Sequence, residues 1–164
     1  MVSFRAILEV LSKRDVDFIV VGGVAGVLHG SPLQTADLDI VYSLDVANQA
    51  RLLVALEELD AIFRDDPRNL RPNLSHLASR GHKLLSTRFG DFDCLATIEE
   101  NTTYDDLVEH TEVIQIGELR IKLLSLQRLI SVKEKLQRPK DRLALMHLRA
   151  TQEERNAREK RQKK

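Results

Sequence analysis

Asp37 and Asp39 are the residues of this chain best suited to chemistry. On a strand, positions two apart face the same way, so both carboxylates point into one small volume. Two acids so placed want a cation. A hard divalent ion such as magnesium or manganese is commonly held by one or two carboxylates together with substrate phosphates. A place for phosphate lies just upstream. Phe18-Ile19-Val20-Val21 reads as a buried strand that stops at Gly22 and Gly23, with a short helix starting behind the pair. Glycines let backbone come close to a ligand, and a helix start offers unpaired N–H groups and positive dipole potential.

Other chemistries fit less well. Gly22, Gly23 and Gly26 do not space as G-x-G-x-x-G, and no G-x-x-x-x-G-K-[ST] run occurs. His76 and His82 lack the partners and spacing of a zinc site. Cys94, the one cysteine, excludes an internal disulfide; set in a hydrophobic stretch, it reads as a core thiol and fits a reducing cytoplasm. Basic and acidic residues balance at 25 each, so no global field advertises nucleic acid or membrane. No apolar run approaches the ~20 residues needed to span a bilayer, and the start of the chain has no signal-peptide pattern. A cytoplasmic protein with no membrane partner is expected.

The hydrophobic strand ending in Gly22-Gly23, the short helix and then Asp37-Leu38-Asp39 resemble the signature of the nucleotidyltransferase superfamily, which has the DNA polymerase β-like fold. The wider run from Gly22 to Gly30, with Thr35-Ala36-Asp37-Leu38-Asp39, is similar to its small toxin-type and abortive-infection-type members. Those often carry arginine two residues before the threonine, where this chain has Leu33. The resemblance implies transfer of a nucleoside monophosphate from a nucleoside triphosphate to an acceptor hydroxyl, with Mg2+ or Mn2+ as cofactor. It implies that Gly22 and Gly23 approach the triphosphate and that Asp37 and Asp39 hold the metal. It also implies a third carboxylate on a strand beside the Asp-x-Asp strand, serving the metal and the attacking hydroxyl. Gly90-Asp91-Phe92-Asp93, followed by apolar residues, resembles that position. Asp93 is the choice; Asp91 would face the same way and is the substitute, closer to the turn at Gly90.

A second stretch extends the likeness. Leu129-Ile130-Ser131-Val132-Lys133, then Arg138-Pro139-Lys140-Asp141 and an apolar helix, is similar to the C-terminal segment of the same proteins. By that resemblance Lys133 is the phosphate-side cation, Arg138 or Lys140 comes second, and Asp141 holds them in place. The acceptor stays open, because such relatives modify transfer RNA, a partner toxin protein or small hydroxylated drugs. A place in a toxin–antitoxin pair, with a cognate toxin or antitoxin as partner, is a further implication. The rival reading is a nucleotide-binding or interaction module of such a pair without turnover.

The elements that must position these residues form an α/β (α+β) fold: a small mixed sheet, flanking helices on one side, and a C-terminal helical segment closing over the site. One nucleotidyltransferase domain over 1–150 is expected, with a core at 16–123, the helical segment at 124–150 and a charged tail at 151–164. Ser3 can cap a helix over residues 3–14, and Asp45 a helix from Val46 to Leu59. Residues 60–82 read as an irregular connection bearing Arg64, Arg68, Arg71 and Arg80, which either contact a nucleotide or RNA backbone or simply solvate the surface. Strands at 83–89 and 91–96 meet at Gly90, a short helix spans 102–110, and a hairpin turns at Gly117. Ser125 caps the next helix, and Pro139 begins the last one. The tail reads as a fraying helix or a disordered segment.

Overall fold

The Ser3 hydroxyl accepts from the Ala6 N–H at 3.2 Å and so caps α1 (Phe4–Lys13), which turns Ile7, Leu8 and Leu11 inward. The computed structural model describes residues 2–136 and 138–164 of the chain. β1 (Phe18–Val21) is buried at all four positions, as a β-branched run between two neighbouring strands must be. It leads directly into α2 (Gly22–Leu28), then β2 (Asp37–Tyr42) and α3 (Val46–Glu58). Next come β3 (Ile62–Phe63), α4 (Leu74–Ala78), β4 (His82–Thr87) and β5 (Gly90–Leu95). A two-stranded ribbon follows, β6 (Thr97–Ile98) with β7 (Thr102–Thr103), then α5 (Tyr104–Leu107) and a 3-10 turn at Val108–His110. The hairpin β8 (Thr111–Ile116) and β9 (Leu119–Leu124) precedes α6 (Leu126–Glu134) and α7 (Pro139–Gln162).

Seven strands form one mixed sheet in the order β3-β4-β5-β2-β1-β9-β8. The β2–β5 and β1–β9 pairs are parallel and the others antiparallel. Alternation along β2 divides its side chains: Leu38, Ile40 and Tyr42 share one face, Asp37 and Asp39 the other. The Tyr42 hydroxyl donates to the Leu77 carbonyl of α4 at 2.7 Å, which places α4 over the apolar face; α4 packs on α3, and α3 on α1. The acidic face lies opposite. α2, α6 and α7 pack on one another, with Leu148 of α7 resting on Gly26 of α2.

Several local expectations change. The stretch 60–82 contains β3 and α4, the latter closed by a reciprocal cap in which the Asn73 side chain accepts from the His76 N–H and His76 Nδ1 accepts from the Asn73 N–H, each at 3.0 Å. Residues 102–110 split into a strand, one α turn and the 3-10 turn rather than a single helix. Asp45 stands at the start of α3 without a side-chain capping bond. The charged segment after Ala150 continues α7, a helix of 24 residues, tied back by Arg155 to Glu112 at 2.9 Å. Cys94 is fully buried. Among the described residues, no helix is long and apolar enough to cross a membrane.

Candidate functional site

Strand register brings the acids together. β2 and β5 run parallel with Asp37 opposite Asp91 and Asp39 opposite Asp93. Partners in register share a face about 4.8 Å apart, so four carboxylates gather on one surface of two adjacent strands. Asp91, expected near the turn, lies on the strand itself and accepts from the Ser86 hydroxyl at 3.0 Å. Gly90 explains why the strand begins so abruptly: its φ of 126° turns the chain and Asp91 follows in extended backbone.

The glycine pair borders this surface, because Val21 is paired with Asp39 across β1 and β2. Gly22 has φ +66°, and a Cβ there would collide with the Asp39 carboxylate. A Cβ at Gly23 would stand 2.6 Å from the Thr35 hydroxyl, which itself donates to the Asp37 carbonyl at 3.1 Å. The two glycines therefore admit Asp39 and Thr35 against the start of α2. Thr35 is a member of the site that strand-and-acid spacing did not single out. Leu33 is half-buried in the same connection, its N–H donating to the Ser31 hydroxyl at 3.4 Å.

Crowding of like charge has an electrostatic signature. Burial, followed by the charges of Asp93 and Asp37, pushes the Asp39 carboxyl up to about 7, while the Lys133 ammonium pulls the other way. Burial also pushes Asp93 up, against the downward pull of Arg64. Arg64 donates from Nη2 to Asp93 Oδ1 at 2.6 Å and to the Leu85 carbonyl at 2.8 Å, and its Nε lies 3.3 Å from Asp91 Oδ2. The guanidinium thus sits against β5's two acids. The remaining cations of that connection behave differently: Arg68 pairs with Asp66 at 2.9 Å, Arg71 lies 3.7 Å from Asp60, and Arg80 is exposed. His82 is exposed, and His76 packs edge-on against Phe63 with ring centroids 4.8 Å apart.

The C-terminal cations form a second group. Asp141 is 0 % exposed and accepts from Lys133 Nζ at 3.1 Å and from Arg138 Nε at 2.7 Å. The Arg138 guanidinium, with Lys133 in support, holds the Asp141 carboxyl below the usual range. α7 begins here because Pro139 occupies its first turn, where no intrahelical N–H is needed. Lys133 links the two groups, being bonded to Asp141 and close enough to Asp39 for its charge to act there. Lys140 is exposed.

Among the described residues, no three His, Cys, Asp or Glu side chains have metal-holding geometry as they stand. The donor set nevertheless suits a hard divalent cation: carboxylate oxygens of Asp37, Asp39 and Asp93 share one face, and the space over Gly22 that a Cβ would fill is taken by a carboxylate. Arg64 is the group that a cation bound to Asp93 would have to accommodate.

No family model matches this chain, and no curated protein matches its sequence. Solved structures do match in fold. A candidate nucleotidyltransferase of Thermotoga maritima is 15 % identical with a TM-score of 0.53, over 98 % of this chain and 91 % of that one. The lincosamide antibiotic adenylyltransferase LnuA, solved with lincomycin bound, is 13 % identical with a TM-score of 0.64, over 92 % of this chain and 98 % of its own. ANT(2")-Ia in complex with adenylyl-2"-tobramycin is 14 % identical with a TM-score of 0.55, over 94 % of each chain. A mixed seven-stranded sheet with flanking helices and a C-terminal helical segment, matched over nearly the whole chain, is the nucleotidyltransferase fold.

Proposed function

We propose that this chain is a cation-dependent nucleotidyltransferase that moves a nucleoside monophosphate from a nucleoside triphosphate to an acceptor hydroxyl. The observation that carries the reading is the in-register pairing of Asp37 and Asp39 with Asp91 and Asp93 beside Gly22. Asp37, Asp39 and Asp93 would hold Mg2+ or Mn2+, which supplies charge neutralisation at the triphosphate. Gly22 and Gly23 bring backbone close to the phosphates. Lys133, oriented by Asp141, offers a cation on the same side, and Arg138 extends that group toward solvent. Asp93 accepts the proton of the attacking hydroxyl, and pyrophosphate leaves with the displaced electron pair. Catalysis here is mostly positioning and electrostatic stabilisation.

A small hydroxylated molecule is the acceptor class favoured by the fold neighbours, one of them a lincosamide antibiotic adenylyltransferase and another solved with adenylyl-2"-tobramycin. The sequence resemblance leaves transfer RNA and a partner protein of a toxin–antitoxin pair open as acceptors beside it. Incubating the protein with each labelled triphosphate, Mg2+ and either a panel of small hydroxylated compounds or a cell extract tests both at once. Label should enter one acceptor class with release of pyrophosphate, and Asp39→Asn should abolish transfer while leaving the circular dichroism spectrum unchanged. Undiminished transfer by Asp39→Asn contradicts the assignment; nucleotide binding without any transfer favours a non-catalytic module.

A further inference from the structure

We propose that Arg64 is the resident counter-ion of the acidic cluster, holding Asp93 in place of a divalent cation and competing with that cation for it. The proposal rests on the metal-binding reading above and adds a role for a residue on a different element. Four carboxylates on two adjacent strands repel one another, and without positive charge among them the paired β2–β5 register would be costly. Arg64 supplies that charge. Its backbone is fixed at the sheet edge, the N–H donating to the Leu84 carbonyl at 2.9 Å, and its guanidinium reaches inward to Asp93 and Asp91.

Two features mark this contact as exchangeable. Arg64 Nε is buried without a hydrogen-bond partner despite lying 3.3 Å from Asp91, so the fork-to-carboxylate match that makes an arginine pair strong is incomplete. Space to move is also at hand. Arg64 lines an open cavity of about 470 Å³ together with Phe63, Asp66, Leu70 and His76, on the side of the sheet edge away from β2. A guanidinium displaced from Asp93 can turn into this cavity, which exposed Asp65 also lines; Asp66 is already paired with Arg68. By contrast, Asp141 satisfies its two cations through three hydrogen bonds and is a settled structural pair.

The test uses the full chain without triphosphate. Mn2+ binding is measured by electron paramagnetic resonance for wild type, Arg64→Gln and Asp39→Asn. In parallel, the Arg64 side-chain Nε–H resonance, identified by its loss in Arg64→Lys, is followed through a Mg2+ titration. Removing a competing unit charge should tighten Mn2+ binding by at least about fivefold in Arg64→Gln. Asp39→Asn should lose the binding, and the Arg64 resonance should shift in step with Mg2+ occupancy. Unchanged or weaker Mn2+ affinity in Arg64→Gln, or an Arg64 resonance unmoved at saturation, overturns the competition while leaving the cation site standing. Absence of Asp39-dependent Mn2+ binding in wild type overturns the metal reading and this proposal with it. Should Arg64→Gln fail to fold, the resonance of the wild-type protein decides.

Discussion

Gly22 carries two demands at one position: a left-handed backbone and room for a carboxylate where a side chain would begin. Gly22→Ala is therefore expected to lower unfolding free energy by roughly 1–3 kcal/mol, read by urea denaturation. It should also displace Asp39, so that transfer falls further than stability alone accounts for. Asp141 tests the second group of charges. It is fully buried, but Lys133 and Arg138 are 24 % and 59 % exposed, so solvent screening discounts the pair. Asp141→Asn should cost about 1–2 kcal/mol and weaken triphosphate binding by loosening Lys133. Because its cations depress Asp141's folded pKa, the stability it contributes is present above the unfolded carboxylate pKa and is lost as acid protonates it in the fold. The Asn variant should thus approach wild type in stability at strongly acidic pH, which denaturation across a pH series will show.

Elements with their own periodicity are legible in the amino-acid sequence alone. The apolar spacing of α1, the Ser3 and Ser125 caps, Pro139 at the head of α7 and the strand–glycine–strand layout of β1, α2 and β2 are all local in cause. The pieces that sequence does not reveal depend on distant partners. β3 is two residues long and exists because Ile62 and Phe63 pair with Ser86 and Leu85 of β4. α4 rests on the reciprocal Asn73–His76 cap, a side-chain arrangement that Asn-x-x-His at a helix start could have signalled. Arg64's reach to Asp93 spans 29 residues of sequence, and its one local clue is a position directly after the apolar pair of β3. At this scale the docking of α7 matters most, since it carries Asp141 and is seated by Leu148 on Gly26. Leu148→Ala should destabilise by about 2–4 kcal/mol in chemical denaturation and lower transfer under conditions where the protein remains folded.

The molecule as a whole separates its two faces. Helices α1, α3 and α4 seal the apolar side, and there Lys83 is buried at 2 % exposure, donating to the Ser79 and Gly81 carbonyls near the Tyr42 ring. Burial lowers the Lys83 ammonium from 10.5 to about 8. The unfolded chain then binds more protons than the fold between those values, so stability contributed at this position rises with pH across about 8 to 10.5. Wild type should gain on Lys83→Met over that window in paired denaturation curves, whereas a flat difference contradicts the buried ammonium. The opposite face carries the clustered acids. Along the sheet, Gly22 follows β1, Asp37 and Asp39 lie on β2, Asp93 on β5, and the Arg64 cavity at the β3 edge. Under the proposed function, phosphates and acceptor would take opposite flanks of β2, as in-line displacement at phosphorus requires. The most direct measurement is an anomalous difference map from crystals grown with Mn2+ and a non-hydrolysable triphosphate. A peak bridged by the Asp37, Asp39 and Asp93 carboxylates, with the triphosphate lying toward Gly22 and Lys133, is the predicted result. Triphosphate bound with no peak at those carboxylates, or manganese bound elsewhere, would contradict it.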